Sequence, residues 1–417
     1  MQPVGKIEEQ PWMTAPATKR VVAALGTKGA VVRFVGGCVR DAILGRPVKD
    51  IDLATHDPPP AVIELLEAAG IQAIPTGIAH GTVTAVIGRD HFEITTLRLD
   101  VETDGRRARV AFTDDWMADA ARRDLTINAL LAAPDGTLYD PFGGLEDLKL
   151  GRIRFVGDPS ARIREDVLRL LRFFRFYAHY GKPPIDEECR LACKELAHLL
   201  PTLSGERVAA ETLKLLSAPD PARVVALMIE DGIVGHFLPE AGSVEFLRAL
   251  VTVEGAAAGT DALRRLAALI DTAKGTPDGV ARRLRLSNVE SERLVELVQP
   301  RVRLHVDMSE VERRKHHYRL GAELFRDLSL LAWARDITAL GSSDRRASEA
   351  WRDHLAFAVA WRPPGFPVRG RDALALGIPA GPKVGRLIAA VEAWWIEQDF
   401  APDRDACLAK LLELSGN

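Results

Sequence analysis

A chain of 417 residues is too long for one hydrophobic core, so two to four domains are expected. Hydrophobic content of 47% and charged content of 27% describe an ordinary soluble protein, and a formal net charge of −3 rules out nucleic-acid binding by bulk charge. Four cysteines in such a length argue against a disulfide scaffold.

The N-terminal MQPVGKIEEQPW lacks a basic-then-apolar signal segment, and no run of 18 apolar residues follows. No membrane span and a cytoplasmic location are therefore expected. Val31–Val35 is a β-branched run closed by Gly36-Gly37, which predicts a strand and a turn. Cys38–Leu44 reads as a short helix ended by Gly45, and Ile51–Ala54 as a second strand. Three prolines after Asp57 open a predicted helix over Ala61–Ala69, and Gly70 ends it. Gly81–Ile87 and Phe92–Leu97 alternate like paired strands.

From about residue 114 the signals turn helical. Asp114–Arg122 and Thr126–Ala133 are predicted helices, then a turn at Pro134-Asp135-Gly136. DPFGG at 140–144 resembles a linker. Helices are predicted over Arg162–Tyr180, Asp186–Leu199, Ser204–Leu216 and Pro221–Asp231, with more to the end. Cys189 and Cys193 can share one helix face, but no second ligand pair at zinc spacing accompanies them. The whole predicts an α+β head on a long helical remainder, with almost all strand signal in Val31–Leu97.

Three constellations carry chemistry. In the first, Asp50 and Asp52 are two apart at a strand end, so both carboxylates project to one face. Such a pair suits Mg²⁺, which prefers oxygen ligands and keeps substrate phosphates in its shell. Two such ions ~4 Å apart could activate an attacking hydroxyl and stabilise leaving pyrophosphate. Glu93, on a nearby predicted strand, is the candidate third acid. Gly36-Gly37 lets backbone amides approach a phosphate, and the forked guanidinium of Arg40 can grip its oxygens. A lone Gly-Gly is usually a turn and a lone Asp-x-Asp a solvated strand end. Their arrangement within 24 residues points instead to nucleotidyl transfer.

The second constellation is RRDLTINAL at 122–130. Asp124 and Asn128 share a predicted helix face, and with Arg123 they can contact ribose hydroxyls and phosphates. The competing reading is a helix cap with a basic neighbour. The third lies in residues 152–175, which hold seven arginines against three acids. There Asp166 and Arg169 are three apart. A base set against this pair would give its exocyclic amine to the carboxylate and accept at a ring nitrogen from the guanidinium. Cytosine and adenine present that pattern; uracil and guanine present the reverse and would leave polar groups unpaired. On this helix alone an i, i+3 surface ion pair is the favoured reading, worth under ~0.5 kcal/mol.

In order, these motifs resemble the class II tRNA nucleotidyltransferase and bacterial poly(A) polymerase superfamily. The likeness begins near Trp12, is strongest over residues 31–175 and extends across most of the chain. It implies a nucleotidyltransferase head at 1–140 with a mixed sheet, then an all-α neck at 141–216, body at 217–362 and tail at 363–417, in an elongated arrangement. By the resemblance, Asp50 and Asp52 hold the metal with Glu93 as third carboxylate. Gly36, Gly37 and Arg40 take phosphates. Arg123, Asp124 and Asn128 select ribose over deoxyribose. Asp166 and Arg169 form a protein template for C or A, supported by Glu165 and Arg172, which reverses the preference above. Glu206-Arg207, Glu211 and Lys214 resemble a further, structural motif.

GIAHGTVT at 77–84 and the stretch 98–112, including Asp104, Gly105 and Arg106, are similar to CCA-adding members that carry a flexible loop for adding A. The implied activity is addition of CCA to the tRNA 3′ end from CTP and ATP with release of pyrophosphate, with Mg²⁺ as cofactor and the tRNA acceptor stem as partner. No protein partner is evident. Alternatives within the superfamily are a poly(A) polymerase or a partial CC- or A-adding enzyme. The alternative outside it is a non-catalytic RNA-binding protein on a degenerate head. Residues 301–319, with six Lys/Arg against three acids, and Gly381–Arg386 are candidate tRNA phosphate contacts, with solvated helix faces as the competing reading. Trp351, Trp361, Trp394 and Trp395 are expected in the core.

Overall fold

The computed structural model describes residues 1–104, 107–257, 259–341 and 344–416. It divides into two compact units. The first comprises Met1–Pro239 with Arg283–Arg285, and the second Glu240–Arg282 with Leu286–Asn417.

The first unit holds all the named strands: β1 (Pro3–Lys6), β2 (Val32–Val35), β3 (Ile51–Thr55), β4 (Gln72–Gly77), β5 (Thr82–Ile87), β6 (Asp90–Thr96), β7 (Arg98–Asp104), β8 (Arg107–Phe112), β9 (Leu131–Ala132) and β10 (Thr137–Tyr139). Eight form one sheet in the order β1-β10-β9-β2-β3-β6-β5-β4, and β7 with β8 form a separate hairpin. Only β3 and β6 run parallel; the other neighbours are antiparallel. The sheet is therefore mixed, and the α+β expectation holds. Its helices are α1 (Pro11–Thr14), α2 (Pro16–Gly26), α3 (Gly37–Ile43), α4 (Pro59–Ala68), α5 (Trp116–Ala121), α6 (Gly144–Leu150), α7 (Pro159–Glu165), α8 (Leu168–Tyr180), α9 (Glu187–Leu196), α10 (Gly205–Leu216) and α11 (Pro221–Glu230).

Three expectations are corrected. Strands lie well outside Val31–Leu97, because short segments such as Leu131–Ala132 are recruited by pairing between β2 and β10. The helix predicted over Thr126–Ala133 is a single 3₁₀ turn, Thr126–Asn128. Leu130, Leu131 and Ala132 are fully buried, so this apolar run is a core strand, and periodicity alone cannot separate that from a buried helix. The helix predicted over Arg162–Tyr180 is two, α7 and α8, broken at Asp166. Asp166 adopts φ −150°, ψ 106°, and its Oδ1 accepts from the Leu168 N–H at 3.2 Å. A short acidic side chain that competes for backbone donors favours a helix end over a helix interior.

The DPFGG stretch is an ordered turn. Both Asp140 carboxylate oxygens accept backbone N–H groups, from Gly144 and Leu145, at the start of α6. On α8, Leu170, Leu171, Phe173, Phe174, Phe176 and Tyr177 form a buried face. At roughly 1.5–3 kcal/mol per buried large side chain, this face fixes the helix against its neighbours.

All named elements of the second unit are helices: α12 (Val244–Ala257), α13 (Ala262–Leu269), α14 (Pro277–Leu284), α15 (Asn288–Val298), α16 (Glu310–Leu340), α17 (Arg345–Ala360), α18 (Gly370–Ala375), α19 (Pro382–Glu397) and α20 (Arg404–Ser415). Arg264, 1% exposed, donates to Glu254 and Asp327, and Arg293 donates to Asp261 and Asp327. This balanced buried network ties α12, α13, α15 and α16. Trp351 and Trp395 are buried, as expected of core residues, while Trp361 and Trp394 are half-buried. In the basic stretch 301–319, Arg314 pairs with Asp399, and Lys315 and Arg319 pair with Glu397. His317 is buried against the Ala358 carbonyl. These side chains brace α16 against the segment around Glu397 and Asp399, which favours the structural reading of that stretch.

Candidate active site

The sheet order brings the first constellation together. Phe34 pairs with Leu53 across the antiparallel β2–β3 ladder, so the glycine turn after β2 lies beside the start of β3, where Asp50 and Asp52 sit. Asp52 pairs in turn with Glu93 across the parallel β3–β6 ladder, which sets their carboxylates on the same face. Burial pushes the Asp52 carboxyl up to about 6, and the neighbouring Glu93 and Asp50 charges push the same way against Arg123. Like charges held this close are relieved by a cation. Among the described residues, no three His, Cys, Asp or Glu side chains form a ready-made metal cage. The donor set instead fits a hard cation completed by water and substrate phosphates.

The glycine turn depends on Gly36. It sits at φ 71°, ψ −123°, which side-chain-bearing residues rarely adopt. Its N–H donates to the Leu130 carbonyl at 3.1 Å, and a Cβ added there would stand 3.2 Å from Arg123 Nη1. Gly36→Ala is therefore expected to cost about 1–3 kcal/mol in backbone strain. It should also displace Arg123 enough to slow transfer ~10–100-fold. Thermal melting and single-turnover incorporation would check the two effects separately; unchanged values for both would contradict this account of the turn.

Arg40 is buried at 7% exposed. Its Nε and Nη2 donate to Asp41, and its Nη1 donates to Asn128 Oδ1 at 2.6 Å. Asn128 Nδ2 donates to Asp124 Oδ1 at 3.1 Å, and Arg172 Nε donates to Asp124 Oδ2 at 2.6 Å. Asp124 and Asn128 therefore meet as expected, through a turn and not a helix face. Burial alone would raise the Asp124 carboxyl, but Arg172, Asn128 and the Leu125 N–H together hold it below the usual carboxylate range. Asp124 is thus an ionised hub joining the turn to α8. Arg122 and Arg123 are both held by Asp119, which is 1% exposed and also accepts from the Arg98 N–H at the base of the β7–β8 hairpin.

The Asp166–Arg169 pair is arranged differently from a surface ion pair. Asp166 Oδ2 accepts from Arg207 Nη2 at 2.7 Å. Arg169 donates to Glu165 Oε2 and to the carbonyls of Arg162 and Arg122. Each side chain is therefore positioned by a third group, which favours a presented recognition pair over mutual neutralisation. Arg175 contacts Glu211 at 2.7 Å behind them.

A cavity of about 480 Å³ gathers these parts. Gly36, Gly37, Arg40 and Asp52 line it, as do Arg123, Asp124, Asn128, Asp166, Arg169 and Arg172. Asp50 lines an adjoining cavity of about 430 Å³. Glu93 and Glu165 line neither; the first stands beside Asp52 and the second behind Arg169. Asp104 closes β7, while Gly105 and Arg106 lie outside the described residues. Arg122, Leu168, Phe176 and Arg207 also line the first cavity and were not among the expected site residues. Arg122 opened the second constellation without being assigned a role, and Arg207 lay in a motif expected to be structural. Phe176 carried no sequence signal. Cys38 lies buried near the turn, and burial pushes its thiol up to about 12, so it is an inert packing residue.

Comparison with known proteins decides the family. Residues 32–154 match the Poly A polymerase head domain, and residues 184–243 match the probable RNA and SrmB-binding site of polymerase A. The mitochondrial CCA tRNA nucleotidyltransferase 1 of Mus musculus is 36% identical over 391 residues, covering 91% of this chain and 86% of its own. The chain belongs to the CCA tRNA nucleotidyltransferase family. A CCA-adding enzyme of Lactococcus lactis subsp. cremoris is 30% identical over 404 residues, covering 94% of this chain and 96% of its own. The crystal structure of the Bacillus stearothermophilus CCA-adding enzyme in complex with CTP superposes with a TM-score of 0.74 at 26% identity, covering 97% of this chain and 98% of that one. Membership makes the chain a nucleotidyltransferase and sets aside the non-catalytic reading. No described helix is long and apolar enough to cross a membrane.

Proposed function

We propose that this protein adds C, C and A to the 3′ end of tRNA, using CTP and ATP and releasing pyrophosphate. One observation carries the reading. A single cavity holds a glycine turn, a strand-borne acid, an Asp-Asn-Arg cluster and a braced Asp/Arg pair. The named activity of the mouse and Lactococcus relatives supports it.

In this reading Gly36, Gly37 and Arg40 orient the triphosphate, and Arg123, Asp124 and Asn128 hold the ribose. Asp166 accepts from the exocyclic amine of C or A, and Arg169 donates to the ring nitrogen. Arg207 and Glu165 fix those two side chains, so little is lost in ordering them when a base binds. Asp50 and Asp52 would hold Mg²⁺, with Glu93 adjusting their charge. Bound there, the metal supplies charge neutralisation at the attacked phosphorus and on the departing pyrophosphate.

The division into head 1–140, neck 141–216, body 217–362 and tail 363–417 stands as part of the proposal. The end of the sheet at Tyr139 and the non-helical PPGFP stretch at 363–367 support it. A cytoplasmic location is supported by four free, buried cysteines.

The test is tRNA lacking its CCA end, incubated with CTP alone, ATP alone and both. The expected products are CC with CTP alone and CCA with both, with no further growth. A long adenosine tail from ATP alone would favour the poly(A) polymerase reading, which the family-model descriptions keep in view.

A further inference from the structure

A cavity of about 430 Å³ lies in the second unit, lined by Thr272, Val298, Gln299, Pro300, Arg303 and Arg335. Every residue lining the nucleotide cavity belongs to the first unit, so the two cavities share nothing. A small-molecule site has a volume of roughly 300–1,000 Å³, and this cavity falls within that range.

Its charge is one-sided. The charged lining residues are Arg303 and Arg335. Among the described residues neither has an ion-pair partner, whereas Arg264, Arg293 and Arg314 of the same unit each meet a carboxylate. Asp336 follows Arg335 in the chain, but its Oδ2 accepts from Trp351 Nε1 at 2.9 Å. Burial lowers the Arg335 guanidinium from its ordinary value, and the Arg303 charge lowers it further against the lift from Asp336. Two like charges thus share one cavity without a paired carboxylate, an arrangement that an anion relieves.

The rest of the lining says which anion. The Arg335 guanidinium lies over Phe246, 5.5 Å from the ring centroid. Its N–H groups have no protein acceptor among the described residues, so its flat face is held while its polar edge is left to a ligand. The Thr272 hydroxyl and the Gln299 amide line the same cavity, and neither side chain makes a hydrogen bond among the described residues. Both can donate. Val298 and Pro300 add an apolar wall for a carbon skeleton. Forked guanidinium donors match phosphate oxygens two at a time. Charge then separates the classes of phosphate. A phosphodiester inside a nucleic-acid chain carries a single negative charge. A phosphomonoester carries about −1.5 to −2 at pH 7. Two guanidiniums in one cavity balance the monoester.

We propose that this cavity binds a small phosphomonoester. Arg303 and Arg335 grip the phosphate, Thr272 and Gln299 donate beside them, and Val298 and Pro300 face the carbon skeleton. The site is additional to the nucleotide cavity and does not depend on the nucleotidyl-transfer reading.

The experiment titrates the full chain, without tRNA or nucleotide, against inorganic phosphate and glycerol phosphate by calorimetry at constant ionic strength. It compares the unaltered protein with Arg303→Gln, Arg335→Gln, the double glutamine variant and the double lysine variant. The dissociation constant of both probes is expected to rise at least ~10-fold in the double glutamine variant. The lysine variant, which keeps the charge but not the fork, is expected to lose less. Phosphate is expected to raise the melting temperature of the unaltered protein and not that of the double glutamine variant. Without phosphate, that variant is expected to melt no lower than the unaltered protein, because a like-charge repulsion is gone. The single variants carry the same test if the double one does not fold. The nucleotide cavity can hold phosphate too, so affinities within about twofold of the unaltered protein would assign the binding there and overturn the proposal. Absence of binding by the unaltered protein would overturn it as well. Unchanged probe affinity with a raised KM for tRNA would make the pair an RNA contact, with the same result.

Discussion

Asp52→Asn is expected to abolish nucleotide incorporation, by about 10³-fold or more, while making the metal-free protein more stable at pH 7. Both effects share one cause. Burial, Glu93 and Asp50 push the Asp52 carboxyl from 3.8 to about 6. The folded, metal-free protein therefore binds this proton more tightly than the unfolded chain does. Above pH ~6 the folded state bears the full cost of the charge, and that cost is relieved as pH falls from 6 toward 4. Allowing for partial solvent screening, it amounts to about 1–2 kcal/mol. Asparagine removes the charge and the cost together. Melting in the presence of a chelator should show the variant ahead at pH 7 and level only below the unfolded value of 3.8. Near-normal incorporation of labelled CTP, or a stability difference indifferent to pH, would contradict the assignment of Asp52 as a strained metal-holding acid.

Asp166→Asn is expected to lower the preference for CTP over UTP by about 100-fold or more, with a smaller effect on the rate with CTP. Both carboxylate oxygens of Asp166 already accept hydrogen bonds, from the Leu168 N–H and from Arg207. An amide can keep only one of them, because its nitrogen donates. Whichever way it turns, one donor faces another, at a local cost of about 1–3 kcal/mol. The same NH₂ group can also donate to the uracil carbonyl that the carboxylate repels. Steady-state kcat/KM for CTP and UTP measures the ratio. Total loss of activity with no gain of UTP use would count against the template role.

The clustering of the glycine turn with the acid pair was legible in the sequence because its parts are local. Gly36, Gly37, Arg40, Asp50 and Asp52 fall within one strand–turn–helix–strand run, and only hydrogen-bond pairing was needed to set β2 beside β3. The arrangement around Asp166 and Asp124 was less legible because its supports are remote. Asp166 depends on Arg207, 41 residues later, and Asp124 on Arg172, 48 residues later. The break at Asp166 was also hidden. Glutamate and arginine on either side favour a helix, and only the local competition of the Asp166 side chain for the Leu168 N–H ends it. Leu131–Ala132 was misread for a related reason. A two-residue strand has no period to detect, and its identity comes from β2 and β10.

The central claim is that protein side chains, without a nucleic-acid template, choose the base. Equilibrium binding of the four ribonucleoside triphosphates to the tRNA-free protein tests it most directly. CTP and ATP are predicted to bind at least ~10-fold more tightly than UTP and GTP, and Asp166→Asn to narrow that gap. Equal affinity for all four, in protein that still extends tRNA with C and A, would contradict the claim.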